Sequence, residues 1–410
     1  MNGRLLAGLA ALLLHAAVFA TPAQPVVTHV DQPALSAAQL GVIVNDDDPD
    51  SVAVAEYYRQ KRGIPAANMI HVRFPPGHDT LSREAFAALE RTVDAATPAE
   101  VQAYALTWAR PFRVDCMSIT AAFAFGFDPA YCASGCKPTR RNSYFNSSAA
   151  RPFEAHRMRP TMSLAAASVA DAKRLIDRGA ASDGSNPDGT AYLVSTPDKA
   201  RNVRAPGYAA LRAHMRPAFA TEIVETRGLE NKPDVMFYFT GTARVPGLDS
   251  NTFLPGAIAD HLTSAGGDLF GNGQMSVLRW LEAGAAGSYG AVQEPCNFPG
   301  KFPVPALVMS HYLQGETLIE AYWKSVQMPG QGLFVGEPLA RPFAGVKIDA
   351  RDGGITLSAR LFAPGVYDIQ AAPSMMGPYR SVARVRIAPG TRQIRLSRVA
   401  PAYYRVARAP

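Results

Sequence analysis

LGVIVNDDDPDSVAVAEYYRQKRGIPAANMIHVRFP, residues 40–75, decides the fold. Leu40 to Val44 is a continuous apolar run, as a strand buried on both faces of a parallel sheet requires. A turn follows in NDDDPDS, with Ser51 the expected N-cap of a helix. Val54, Tyr57 and Tyr58 fall on helical spacing, and Gly63 stops the helix. Met69 to Val72 gives a second strand. The stretch therefore reads strand, helix, strand, the unit whose crossover is right-handed.

The same alternation continues downstream. Residues 82–95 read as a helix with Phe86, Leu89 and Val93 on one face, and residues 103–108 as a strand. Residues 115–160 are irregular and read as an insertion. A helix is expected over 168–178 and strands over 192–195 and in DVMFYFTG, residues 234–241. Leu254, Ile258 and Leu262 recur every four residues and predict a helix over 253–264. Another helix spans 274–283 and ends at Gly284, a strand of small residues spans 285–292, and two helices span 306–314 and 316–326. The fold class over residues 38–345 is α/β, a mostly parallel sheet with helices on both faces.

After Phe343 polar and apolar residues alternate, with turns near Gly353, Pro364, Gly377 and Gly390. Residues 346–410 read as a small antiparallel β domain, sandwich-like, of immunoglobulin or fibronectin type. At the other end, MNGRLLAGLAALLLHAAVFA carries Arg4 before an apolar run and acceptable cleavage positions at Val18 and Ala20. Residues 1–20 read as a signal peptide and 21–37 as a linker, so an exported protein, periplasmic or extracellular, is expected. No later stretch is long and apolar enough to span a bilayer.

The chain has 410 residues with 48% hydrophobic and 18% charged content, enough for a sizeable core. The net charge of +7 reads as dispersed along the chain, without a basic helix or an aromatic–basic module, which excludes nucleic-acid binding. The four cysteines are an even count, as disulfides require in an exported chain. Cys132 and Cys136, in the turn-rich YCASGCKPTRRN, are the expected pair. Zinc is the rival reading, but no CxxC or HxxxH supplies its donors, and no metal is expected. No cofactor is expected either, because the first turn lacks the glycines of a dinucleotide-binding loop.

Ligands of open parallel sheets bind at the carboxyl ends of strands. That rule selects Asn45, Asp46 and Asp48 after the first strand, Thr240, Gly241 and Arg244 after DVMFYFT, and Glu294 and Asn297 after the small-residue strand. The aspartates suit helix capping or a divalent cation. Arg244 suits an anionic ligand. Cys296 is the candidate nucleophile, with His261 its candidate base. His261 follows Ile258 by three residues and Leu254 by seven, so it faces partly inward, and a structural histidine is the favoured reading. Glu294 beside Cys296 works against a thiolate, and no GxSxG serine elbow is present.

Three blocks carry a family resemblance: GVIVNDDDPDSVAVAEYYRQKRGIPAANMI, the run from FTGTARVPG to GSYGAVQEPCNFPGKFP, and EAYWKSVQMPGQGLFVGEPLARPF. They resemble an uncharacterised family of exported bacterial proteins. That family occurs in genomes carrying exosortase, the proposed sorting transpeptidase for proteins with a PEP-type C-terminal signal. The resemblance covers residues 38–345. More distantly, the layout resembles gingipain-type and caspase-like cysteine peptidases, where a His–Gly pair ends one strand and the nucleophilic cysteine ends the next. Gly287–Ser288 and Gly336–Glu337–Pro338 match elements of that pattern. Thr240–Gly241 stands where the pattern has His–Gly, and no cysteine lies between Gly241 and Ser288. The resemblance implies a caspase-like scaffold without the peptidase dyad, serving an exosortase-linked envelope or export system by binding a protein or envelope-polymer partner. The alternative is a cysteine-dependent hydrolase or peptidase using Cys296.

Overall fold

The computed structural model describes residues 21–409 except 33, 134 and 352. The signal peptide expected over 1–20 lies outside the described residues. Strand β1 (Val26–Val30) precedes the first crossover unit, β2 (Leu40–Asn45), α1 (Pro49–Arg62) and β3 (Met69–Val72). The N-cap of α1 is Asp48, which accepts a bond from Asp50 N, with Pro49 at the first helical position. The helix thus starts before the expected cap, Ser51. Ser51 turns inward, where its Oγ accepts from Asn45 N at 3.0 Å and meets Thr107 Oγ1 at 2.7 Å.

Then come β4 (Thr80–Leu81), α2 (Arg83–Ala96), β5 (Ala103–Leu106), β6 (Arg113–Val114) and β7 (Met117–Ser118), of which β4, β6 and β7 form a small separate sheet. Helices α3 (Ile119–Phe125) and α4 (Pro152–His156) bracket the irregular insertion. They lead to β8 (Thr161–Ser163), α5 (Val169–Ser182), β9 (Thr190–Ser195), α6 (Tyr208–Met215), β10 (Ala220–Glu225) and β11 (Val235–Gly241). The domain closes with β12 (Phe253–Leu262), α7 (Leu278–Glu282), β13 (Gly287–Ala291), α8 (Pro305–Leu313), α9 (Leu318–Trp323) and β14 (Gly332–Gly336). Residues 253–262, expected as a helix, are a strand inserted between β11 and β13.

The main sheet has ten strands in the order β10-β9-β11-β12-β13-β14-β8-β5-β2-β3. Its neighbours are parallel except β13 and β14, which pair antiparallel from Gly287↔Gly336 to Ala291↔Gly332. That one junction reverses the strand direction. The strands β9 to β13 therefore end on one rim of the sheet, and β2, β3, β5, β8 and β14 end on the opposite rim. Side chains of α1, α6, α8 and α9 enter one apolar cluster and those of α2 a second, while α3, α5 and α7 contribute to both.

The C-terminal unit contains β15 (Lys347–Arg351), β16 (Gly354–Ser358), β17 (Gly365–Ala372), β18 (Arg380–Ile387), β19 (Gln393–Leu396) and β20 (Tyr403–Arg408). Its sheets, β15-β16-β19 and β1-β20-β17-β18, share a core around Leu357, Phe362, Tyr367, Ile369 and Val406. The segment expected as an N-terminal linker supplies β1, parallel to β20 from Val26↔Tyr403 to Val30↔Val406.

Candidate functional site

The carboxyl ends of β11 and β12 lie at Gly241 and Leu262. In this chain the segment after β9 covers them. Gly241 lies so close to that segment that a Cβ there would fall 2.0 Å from Arg201 O. Arg201 Nε donates to Thr263 Oγ1 at 3.0 Å, its Nη1 pairs with Asp198 at 3.0 Å, and Thr263 Oγ1 donates to Gln274 Oε1 at 2.6 Å. Beneath it, Arg204 Nη1 lies 2.6 Å from Asp260 Oδ1, both side chains buried, and Arg204 Nη2 bonds the carbonyl of buried Thr240. Burial pushes the Asp260 carboxyl up, against the pull of Arg204. Asn297 Nδ2 joins the same segment by donating to Ala200 O at 3.0 Å.

The expected Cys132–Cys136 pair is replaced by Cys116–Cys132 and Cys136–Cys296, with Cα separations of 5.9 and 5.2 Å. Cys132 ends the short helical turn 129–131 beside β7, and the left-handed Gly135 then turns the chain toward the 294–297 loop. Cys296 therefore has no thiol to ionise, and the expected Cys296–His261 dyad is absent. His261 is not a base in waiting either. Trp280 Nε1 donates to its Nδ1 at 2.9 Å, which fixes the neutral tautomer, and its Nε2 donates to Met275 O at 3.0 Å. Burial lowers its pKa to about 4. Glu294 accepts from Cys296 N at 2.7 Å, which closes the loop on itself.

The expected ligand set is divided between the two rims because of the antiparallel β13–β14 junction. Asn45, Asp46 and Asp48 lie at the end of β2, on the rim opposite Thr240, Gly241, Arg244, Glu294 and Asn297. The acidic loop is consumed locally. Asp46 meets His71 at 2.7 Å, Asp47 meets Arg73 at 2.7 Å, Asp48 caps α1, and Asn45 bonds both ways with the Phe74 backbone. Among the described residues no group of three or more His, Cys, Asp or Glu side chains is placed to hold a metal ion.

Strand order reverses once in each half of the sheet, between β2 and β5 and between β9 and β11. Such reversals open ligand crevices. The first holds a pocket of about 330 Å³ lined by Asp48, Asp50, Thr107, Trp108, Arg110 and Phe270 among others. The second holds a pocket of about 560 Å³ lined by Thr196, Pro197, Asp198, Arg227, Thr242 and Arg244 with Val245 and Pro246. In the second, Arg244 is positioned by the carbonyls of Asn272 and Gly273, Arg227 is exposed, and Asp198 is already paired with Arg201. Cationic charge is thus in excess. Sequence reasoning selected Arg244 but missed Thr196, Asp198 and Arg227. The signal was available in the Thr196-Pro197-Asp198 turn directly after the expected 192–195 strand.

The fold is thus a mixed α/β protein with one large, mostly parallel sheet and smaller sheets beside it. No protein-family model matches the chain, and neither does any curated protein. Two solved structures resemble it. One is described as a protease, with 9% identity and a TM-score of 0.41 over 92% of this chain and 98% of that one. The other is the complex of the Porphyromonas gingivalis RgpB pro- and mature domains, with 9% identity and a TM-score of 0.38 over 91% of this chain and 100% of that one.

Proposed function

We propose that this is an exported, non-peptidase α/β protein that binds an anionic ligand, or an acidic segment of a partner, in the crevice between β9 and β11. One observation carries the reading: the groups cysteine chemistry needs are committed elsewhere, Cys296 to Cys136 and both nitrogens of His261 to Trp280 and Met275. Arg227 and Arg244 then supply the recognition, with guanidinium geometry suited to carboxylate or phosphate. Two disulfides suit an oxidising compartment, and among the described residues no helix is long and apolar enough to cross a membrane. An exosortase-served envelope or export system is the setting the sequence resemblance implies.

The test is alkylation of the unreduced protein followed by mass mapping, with a peptide-hydrolysis assay in parallel. No labelling at Cys296 and no hydrolysis are expected. Labelling at Cys296 with hydrolysis lost in C296A would establish the hydrolase alternative instead. For the crevice, citrate serves as an anionic probe in thermal-shift titrations. Citrate should raise the melting temperature of the wild-type chain and not that of R227Q/R244Q. Equal shifts in both would remove the crevice from the reading.

A further inference from the structure

The charge that reads as dispersed along the sequence is segregated in the fold. Residues 346–410 carry 11 Lys and Arg against 3 Asp and Glu, a net +8, so the first 345 residues sum to −1 within the chain total of +7. The same unit holds a second asymmetry. Of the large apolar side chains left exposed among the described residues, Met376 at 78%, Val382 at 59%, Met375 at 55% and Val26 at 40% all belong to the sheet β1-β20-β17-β18 or its β17–β18 turn.

The strand registers place these four at one end of that sheet. Val26 pairs with Tyr403, and Tyr403 with Ala372, the last residue before the turn that carries Met375 and Met376. Arg380 pairs with Ala371 on the return strand, where Val382 bulges between Ser381 and Ala383. Tyr379 folds back over this end, its ring centroid 3.9 Å from the Arg405 guanidinium and its hydroxyl 3.2 Å from Thr28. Arg380, Arg384 and Arg405 are exposed on the strands that lead to the apolar tip. The acid of the neighbouring strand, Asp368, is occupied by Ser381 and lies 3.8 Å from Arg384.

We propose that this end of the β unit docks on an anionic lipid surface, with Met375, Met376, Val382 and Val26 entering the headgroup layer and the surrounding arginines facing the lipid phosphates. An acidic polymer would use the arginines alone. A lipid surface takes up exposed methionines and arginines together, and an apolar tip beside basic residues is the arrangement that interfacial binding uses. The inference is independent of the crevice between β9 and β11, since no residue is shared.

The test uses the chain from Thr21 onward, so that the apolar leader contributes nothing. It is co-sedimented with phosphatidylcholine vesicles and with phosphatidylcholine–phosphatidylglycerol vesicles. Binding to the anionic vesicles only, weakened by added salt, is expected. R380Q/R384Q should weaken it by about twenty-five-fold, at roughly fivefold per arginine. M375S/M376S should weaken it by about tenfold, with circular dichroism and melting temperature unchanged in both variants. Equal binding to both vesicle types, or binding to neither, would overturn the proposal. So would unchanged vesicle binding by M375S/M376S together with full competition by soluble inorganic polyphosphate, an outcome that assigns the surface to a polyanion.

Discussion

His261 illustrates how a single side chain can look catalytic and be structural. Its pKa is depressed from 6.5 to about 4 because burial disfavours the imidazolium, and Trp280 and Met275 satisfy only the neutral ring. The unfolded chain binds the proton first as pH falls. The stabilisation is therefore complete above about pH 6.5 and is lost between there and about pH 4. Denaturant unfolding should give a loss of about 2–3 kcal/mol attributable to this group between pH 7 and 4.5. The H261Q variant, less stable at pH 7, should lack that portion of the slope; an unchanged slope would mean His261 is not its source. The strand that holds His261 was misread for an arithmetic reason. Leu254, Ile258 and Leu262 are spaced by four, a number that satisfies a helical face and a two-residue strand period alike. As a helix the segment would turn His261 only partly inward, whereas the strand buries both Asp260 and His261 and partners them with Arg204 and Trp280.

Between elements, two ties hold the domain together, and the sequence made one of them visible. Gly336–Glu337–Pro338 was recognisable as a motif, but its work was not. Glu337 is buried and accepts from Tyr58 Oη at 2.7 Å and Arg62 Nε at 3.0 Å, which fastens α1 to the end of β14. It also explains the glycine inside α5: a Cβ at Gly179 would fall 2.5 Å from Glu337 Oε2. E337A leaves the Arg62 guanidinium buried with Asp183 as its remaining partner. It should cost about 3–5 kcal/mol in chemical denaturation, part of it recovered in E337A/R62M. The second tie is the Cys136–Cys296 disulfide, which closes a separation of 160 residues against 16 for Cys116–Cys132. Four cysteines allow three pairings, and proximity in sequence favoured the wrong one. The longer loop restricts the unfolded chain more, by about 5 kcal/mol against about 3 in the chain-entropy picture. C136A/C296A should therefore be less stable than C116A/C132A, as urea midpoints on otherwise oxidised protein would report.

For the whole molecule, the parallel runs of strands were legible because buried strands read as unbroken apolar segments, as in Leu40–Val44 and Val235–Phe239. Their relative direction was not, since nothing local to Gly287–Ala291 or Gly332–Gly336 encodes the antiparallel junction that separates the two rims. The same limit applies to β1, five residues that take a partner nearly 380 positions away in sequence. Its consequence is that the two ends of the chain stabilise one another. Asp31 N donates to Val406 O at 2.7 Å, while Arg341 Nη2 reaches Gln32 O at 2.8 Å, so residues 26–32 link the C-terminal sandwich to the end of the α/β domain. Deleting residues 21–31 exposes the edge of β20 and should weaken the sandwich while leaving the ten-stranded sheet folded. Hydrogen exchange monitored by mass spectrometry would then show faster exchange in peptides covering Tyr403–Arg408 and unchanged protection over Val235–Gly241. Loss of protection in both regions would mean that the sandwich and the α/β domain fold as one cooperative unit, and the N-terminal strand would belong to the stability of the whole chain.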